Sequence, residues 1–97
     1  MIVGVCCLDL LIFEASSLKG KRSIVKKIII QVQNNFKVSI AEVGDNDLWQ
    51  KSKLGISLVG NEKRFVNSTL DKVLNFIEKL NLAEILNYEI EIMNYNF

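Results

Sequence analysis

The amino-acid sequence predicts one α+β domain of element order βαββαβ, and three features predict it. Two stretches repeat apolar residues at the three-and-four spacing of amphipathic helices. Four others show the period of two or the β-branched content of strands. No proline, repeat, low-complexity segment or polar linker separates them. At 97 residues, 49% hydrophobic and 24% charged, the chain is sized for one core and too short for two, so residues 1–97 are expected to form a single domain.

From Val3 to Ile12, Cys6, Leu8, Leu10 and Ile12 share one face of a first strand and Val5, Cys7, Asp9 and Leu11 the other. Both sets are largely apolar, so the strand is read as central or covered on both sides. Ser16 or Ser17 can cap the helix that follows, on which Leu18, Val25, Ile29, Val32 and Phe36 recur along one side. This helix is expected to end near Phe36. Val38 to Val43 is a short β-branched run, the second strand. In Lys53 to Gly60, the third, Leu54, Ile56 and Leu58 alternate with Gly55, Ser57 and Val59, and residues Gly44 to Gln50 join the two. Asn61 stands where the N-cap of a second helix is expected. Val66, Leu70, Val73, Ile77 and Leu80 form that helix's apolar side, with Glu62 in the first turn and Lys79 in the last, as the macrodipole favours. Tyr88, Ile90 and Ile92 alternating with Glu89, Glu91 and Met93 give a fourth strand. The commonest compact solution for this order is a ferredoxin-like sandwich, a four-stranded antiparallel sheet with two helices on one face.

Composition narrows the function. The chain has no histidine, which removes Ser-His-Asp and Cys-His nucleophile pairs, histidine zinc ligands and an imidazole acid–base. No enzyme activity, metal or cofactor is expected. Cys6 and Cys7 are adjacent, so on a strand they point to opposite faces and form neither a C-x-x-C pair nor half a zinc knuckle. Two free thiols fit a reducing, cytoplasmic setting. Met1 to Phe13 is apolar but contains Asp9 and no Lys or Arg, unlike an export signal. No run approaches the roughly 20 apolar residues of a spanning helix, so no membrane partner is expected.

The formal net charge of +1 conceals an uneven distribution. Ala15 to Ala41 carries six basic residues, Lys19, Lys21, Arg22, Lys26, Lys27 and Lys37, and no acidic one, leaving the remainder five charges negative. Lys19, Arg22 and Lys26, at i, i+3 and i+7, form a stripe. Lys19, Lys21 and Arg22 occupy the first turns of their helix, where a cation costs roughly 0.3 to 1 kcal/mol. Ser16, Ser17, Lys19, Lys21, Arg22 and Lys26 are therefore the candidate phosphate site, with nucleic acid as the leading ligand and simple solvation of a basic face as the plain alternative.

The other sheet face lacks the aromatic platforms on which an RNA-recognition sheet stacks bases. Its apolar content suits a covered surface instead. Val5, Cys7, Leu11, Val59 and Met93, with Trp49, are the expected interface of a two-fold homodimer. Asp9, Glu89 and Glu91 are read as exposed carboxylates, since no third element supplies further metal ligands. Asp45 and Asp47 lack the other ligands of a calcium loop and are read as turn formers. Trp49 is expected to pack against the core or in an interface. An acylphosphatase, of similar size and element order, holds phosphate with an arginine in the loop after strand one. Here that loop is Phe13, Glu14, Ala15, Ser16, and the cation is missing.

Ser17-Leu18-Lys19, Lys21-Arg22, the run from Val38 to Asp45, Asp47-Leu48-Trp49-Gln50, Val59-Gly60-Asn61 and the Val73 to Glu78 helix closely resemble the YlxP-like family of small, uncharacterised bacterial cytosolic proteins. The resemblance runs from about Val3 to Ile92. It implies a ferredoxin-like fold and a link to transcription or translation, whose factor genes often neighbour those of the family, and it implies no catalytic residue. Cys7 and Leu11 stand where the family often has arginine, Phe13 where it has proline and Gly20 where it often has an acid. The open face is correspondingly more apolar, and the start of helix one lacks an acidic neighbour.

The leading expectation is a non-enzymatic accessory protein that touches ribosomal or other RNA through helix one and pairs with itself through the sheet. The alternatives are a homodimeric protein-binding or regulatory module without nucleic-acid binding, and a small enzyme acting on a phosphorylated ligand at the start of helix one.

Overall fold

The computed structural model describes all 97 residues. Its elements are β1 (Ile2–Ile12), α1 (Leu18–Asn35), β2 (Ser39–Gly44), β3 (Lys51–Gly60), α2 (Lys63–Lys79) and β4 (Ala83–Asn94). The strands form one antiparallel sheet in the order β2-β3-β1-β4, so β2 and β4 are its edges. Both helices cover the same face, α1 over β2 and α2 over β4, β1 and β3. This is the expected ferredoxin-like sandwich.

The period of two in β1 and β3 directs Cys6, Leu8, Leu10 and Ile12, and Leu54, Ile56 and Leu58, into the layer beneath the helices, where all are buried. Val25, Ile28 and Val32 of α1 and Val66, Leu70, Val73, Leu74 and Ile77 of α2 complete the core. Phe36 and Phe76 join the helices edge to face, with centroids 5.4 Å apart at 81°. Gly4 lets α2 approach β1 closely, since a Cβ there would fall on Val66 Cγ1 and lie 3.1 Å from Leu70 Cδ1.

Four departures from the sequence reading have physical causes. The buried side of α1 is Lys21, Val25, Ile28 and Val32, while Leu18, Ile29 and Phe36 are half-buried. Val25 and Val32 thus stand where aliphatic periodicity places them, whereas Ile28 replaces Ile29, a shift of one position or about 100°, and Lys21 joins the buried side. β3 starts at Lys51 because its inward set begins with Ser52, a polar residue that alternation of apolar side chains does not register. The N-cap of α2 is Glu62, with φ −131° and no side-chain cap bond, so Asn61 lies outside the helix and Glu62 precedes its first turn. β4 starts at Ala83 because a bulge opposite Asp9 and Leu10 leaves Leu86 unpaired. Ala83 and Ile85 pair with inward residues before the bulge, Ile90 and Ile92 after it, and the change of parity hides the strand from a period-two reading.

Asn81 follows α2 in the left-handed conformation (φ 54°), and its N–H donates to the Glu78 carbonyl at 3.2 Å. No helix is long and apolar enough to cross a membrane.

Candidate functional site

Lys21 overturns part of the sequence reading. It is wholly buried on the inner side of α1, and its Nζ donates to Glu42 Oε2 at 2.6 Å, to the Asp45 carbonyl at 2.9 Å and to the Asn46 carbonyl at 3.3 Å. An ammonium has three N–H donors, so none is left for a ligand. Glu42 is satisfied in turn. Its Oε2 also accepts from the buried Ser52 Oγ at 2.6 Å, and its Oε1 accepts from Asn46 Nδ2 at 3.3 Å. Lys21 therefore leaves the candidate phosphate set and becomes a clamp between α1 and the turn joining β2 to β3. A sequence signal for it existed. Lys21 stands at i, i+4, i+7 and i+11 with Val25, Ile28 and Val32, and Glu42 shares the inward parity of Ile40 on β2. A buried lysine on that stripe requires a carboxylate.

The clamp also accounts for the aspartate turn. Asp45 is left-handed (φ 58°), a conformation aspartate tolerates, and its carbonyl accepts from both Lys21 Nζ and the Leu48 N–H, the latter at 3.1 Å.

The remaining members of the set divide in two. Ser17 is the N-cap of α1, its Oγ accepting from the Gly20 N–H at 3.0 Å. Ser16 lies exposed just outside the helix, and Lys19, Arg22 and Lys26 are exposed along it. The ion pairs of the chain are Lys21–Glu42 and Lys53–Asp9, so these three cations have no carboxylate partner. No acidic residue occupies the first turn of α1.

On the open face, the six expected interface residues point away from the helices but do not form one cluster. Val5 and Cys7 lie mid-sheet in a shallow cavity of about 480 Å³, with Ala41, Val43 and Gly55 towards β2 and Glu89 and Glu91 on β4. Leu11 meets Leu48 and Trp49 around a hollow of about 180 Å³ at one end. Val59 and Met93 flank Val3 at the other end. Trp49 is 44% exposed and stands outside the core. The three carboxylates considered together are separate. Asp9 pairs with Lys53 at 3.5 Å and faces Asn87, whereas Glu89 faces Cys7 and Glu91 faces Val5.

The thiols differ as their faces do. Cys6 is buried, and burial pushes its pKa up to about 11, with Cys7 and Asp71 adding to the rise, while Cys7 is exposed and both are free. Cys6 is thus a core residue rather than a nucleophile.

Comparison with known proteins agrees with the architecture. The designed protein Foldit4 superposes with a TM-score of 0.53 at 16% identity, covering 99% of this chain and 100% of that one. The designed protein LFR1 1, described as having a ferredoxin fold, gives 0.50 at 18% identity, covering 96% and 83%. At such identities the likeness is one of fold. In sequence, the chain is 39% identical over 77 residues to the uncharacterized protein YlxP of Bacillus subtilis (strain 168), covering 79% of this chain and 84% of that protein. The family model described as "Protein of unknown function (DUF503)" matches residues 3–90. That match over most of the chain, with the 39% identical relative, shows that the chain belongs to the DUF503 family.

Proposed function

We propose that this protein is a non-catalytic cytoplasmic accessory factor that holds RNA through the exposed side of α1. The observation that carries the reading is the set Lys19, Arg22 and Lys26, three exposed cations over two helical turns with no carboxylate partner in a chain with eleven acidic residues. Unpaired cations on one rigid helix release counterions when they meet phosphates. The aromatic-poor sheet gives no rival platform for bases. A phosphoryl-handling enzyme at the same place has less support, because the Lys21 ammonium is fully engaged and the chain has no histidine.

Titration of a labelled single-stranded RNA across salt concentrations tests this. Three phosphate contacts give a log–log slope of about −2 to −3. Reversing Lys19, Arg22 and Lys26 to Glu abolishes the salt-dependent binding. Unchanged affinity and slope in that variant overturn the proposal.

A second reading, a homodimer through the open face, is supported by the exposure of Val43 (57%) beside the shallow cavity and of Trp49 (44%) and Val59 (60%) towards the two ends of that face. Sedimentation velocity at micromolar concentration tests it. A strictly monomeric coefficient removes it, and a dimer dissociated by Trp49→Ala and Val59→Lys supports it.

A further inference from the structure

We propose that the β4 edge is the docking site for an extended, cationic peptide segment, which adds as a fifth strand beyond β4. Three independent observations converge there.

The first is backbone. β4 ends the sheet, so one side of it has a row of N–H and C=O groups with no strand partner. Past the bulge, Asn87 to Asn94 runs in unbroken register opposite Ile2 to Asp9, which gives an added strand eight regular residues to pair with.

The second is a cavity. Where that regular stretch begins, the gap between α2 and β4 opens into a space of about 520 Å³, lined by Leu74, Ile85, Leu86 and Tyr88 with Asp71 and Glu78. Leu86 (48% exposed) and Tyr88 (53%) present apolar surface to solvent. The volume lies within the roughly 300 to 1,000 Å³ typical of ligand clefts, and it can receive an apolar side chain from the helix-facing side of an incoming strand.

The third is charge. Asp71 and Glu78 line the cavity and neither makes an ion pair. No Lys or Arg stands three or four residues from either on α2. Lys72 and Lys79 lie against Phe36 and Phe76, towards α1. Across the strand, Glu84, Glu89 and Glu91 pair with the outward residues Leu11, Cys7 and Val5, so they project from the open face. Side chains of an added strand alternate between the same two faces. A strand with basic residues on both therefore meets carboxylates on both.

These features also select against a second copy of the chain on this edge. Antiparallel pairing of β4 with β4 about a two-fold would bring glutamates of the same set together, and like charges facing one another are destabilising. Carboxylates and a bulge are devices that keep strand edges from pairing with themselves. Here they leave the edge open to a strand of opposite charge.

The test uses the full chain and two fluorescein-labelled nonapeptides, one built of lysine pairs alternating with valine pairs, which puts lysine on both faces of a strand, and one with glutamate in place of every lysine. The lysine peptide is expected to bind with an affinity that falls with added salt, and to slow amide hydrogen exchange in Asn87 to Asn94. Asp71→Lys with Glu78→Lys, both exposed positions, is expected to weaken it about tenfold with the thermal midpoint little changed. Methylating alternate peptide nitrogens, which removes the strand-forming N–H groups but no charge, is expected to abolish it. Equal binding of the glutamate peptide, full binding of the methylated one, or protection confined to other strands overturns the proposal. So does a chain dimer that the double reversal dissociates, since the edge would then hold a copy of itself. Reversal of Lys19, Arg22 and Lys26 leaves peptide binding intact, which separates this site from the RNA reading.

Discussion

Lys21 Nζ and Glu42 Oε2, from residues twenty-one apart in sequence, meet at 2.6 Å with the lysine wholly buried and the glutamate 15% exposed. A buried ion pair is costly to break from one side, because the surviving charge is stranded. Glu42→Ala leaves a buried ammonium with two carbonyl partners and Ser52 without its acceptor, and is expected to cost about 3 to 5 kcal/mol. Lys21→Met leaves Glu42 with Ser52, Asn46 and some solvent, so it should cost less. The double variant is expected to be more stable than Glu42→Ala alone. Urea unfolding of the four proteins checks the ordering.

Lys19 lies in the first turn of α1, where no acid offsets the helix dipole. Lys19→Glu is expected to stabilise the fold by roughly 0.3 to 1 kcal/mol while weakening RNA binding. A thermal midpoint and an RNA titration on the same variant would then move in opposite directions. A residue retained only for solubility would give the first change without the second.

The two thiols should react as distinct populations. Cys7 is exposed and Cys6 buried, so a disulfide reagent is expected to modify one thiol fast and the other only on unfolding. Cys6 titrates near pH 11 when folded against an ordinary 9.0. Between those values the unfolded chain has lost a proton that the folded chain keeps. Its contribution is thus complete below pH 9 and lost as pH rises through 11, a fall of about 2 to 3 kcal/mol. Cys6→Val removes this component, and comparing stability at pH 8 and 10.5 for both proteins measures it.

Gly4→Ala places a methyl group against Val66 and Leu70. Overpacking of this kind typically costs about 1 to 3 kcal/mol. Pairing it with Val66→Ala, which opens the space, is expected to recover part of the loss, and chemical denaturation of the single and double variants reads out the coupling.

Much of the fold was legible because apolar parity in β1 and β3 and the helical repeats in α1 and α2 act locally and without competing signals. What stayed hidden depended on residues that break local rules for tertiary reasons. Lys21 was grouped with surface cations because charge is normally solvated, and only the carboxylate on β2 makes its burial tolerable. The first half of β4 was missed because the bulge at Leu86 reverses its parity. Glu62 displaced Asn61 as the cap of α2 without making any side-chain bond, so nothing in the residue types announced it. The exposed stripe Lys19, Arg22 and Lys26, the outward face of β1 and that of β3 from Gly55 onward were readable from period alone, whereas the outward Lys51 and Lys53 at the start of β3 were not.

α1 lies over β2, whereas β4 closes the opposite side of the sheet. Both helices lie on one face, so the exposed cations of α1 and Lys63, Arg64, Lys72 and Lys79 of α2 stand on the helix side of the sheet and Glu84, Glu89 and Glu91 project from the open face, across a body only 22 by 19 Å in its two shorter dimensions. A nearly neutral molecule built this way is polarised through its sheet, with the helix layer its basic side. In an electric field it therefore feels a torque that turns the helix layer towards the negative pole and the open sheet face away from it.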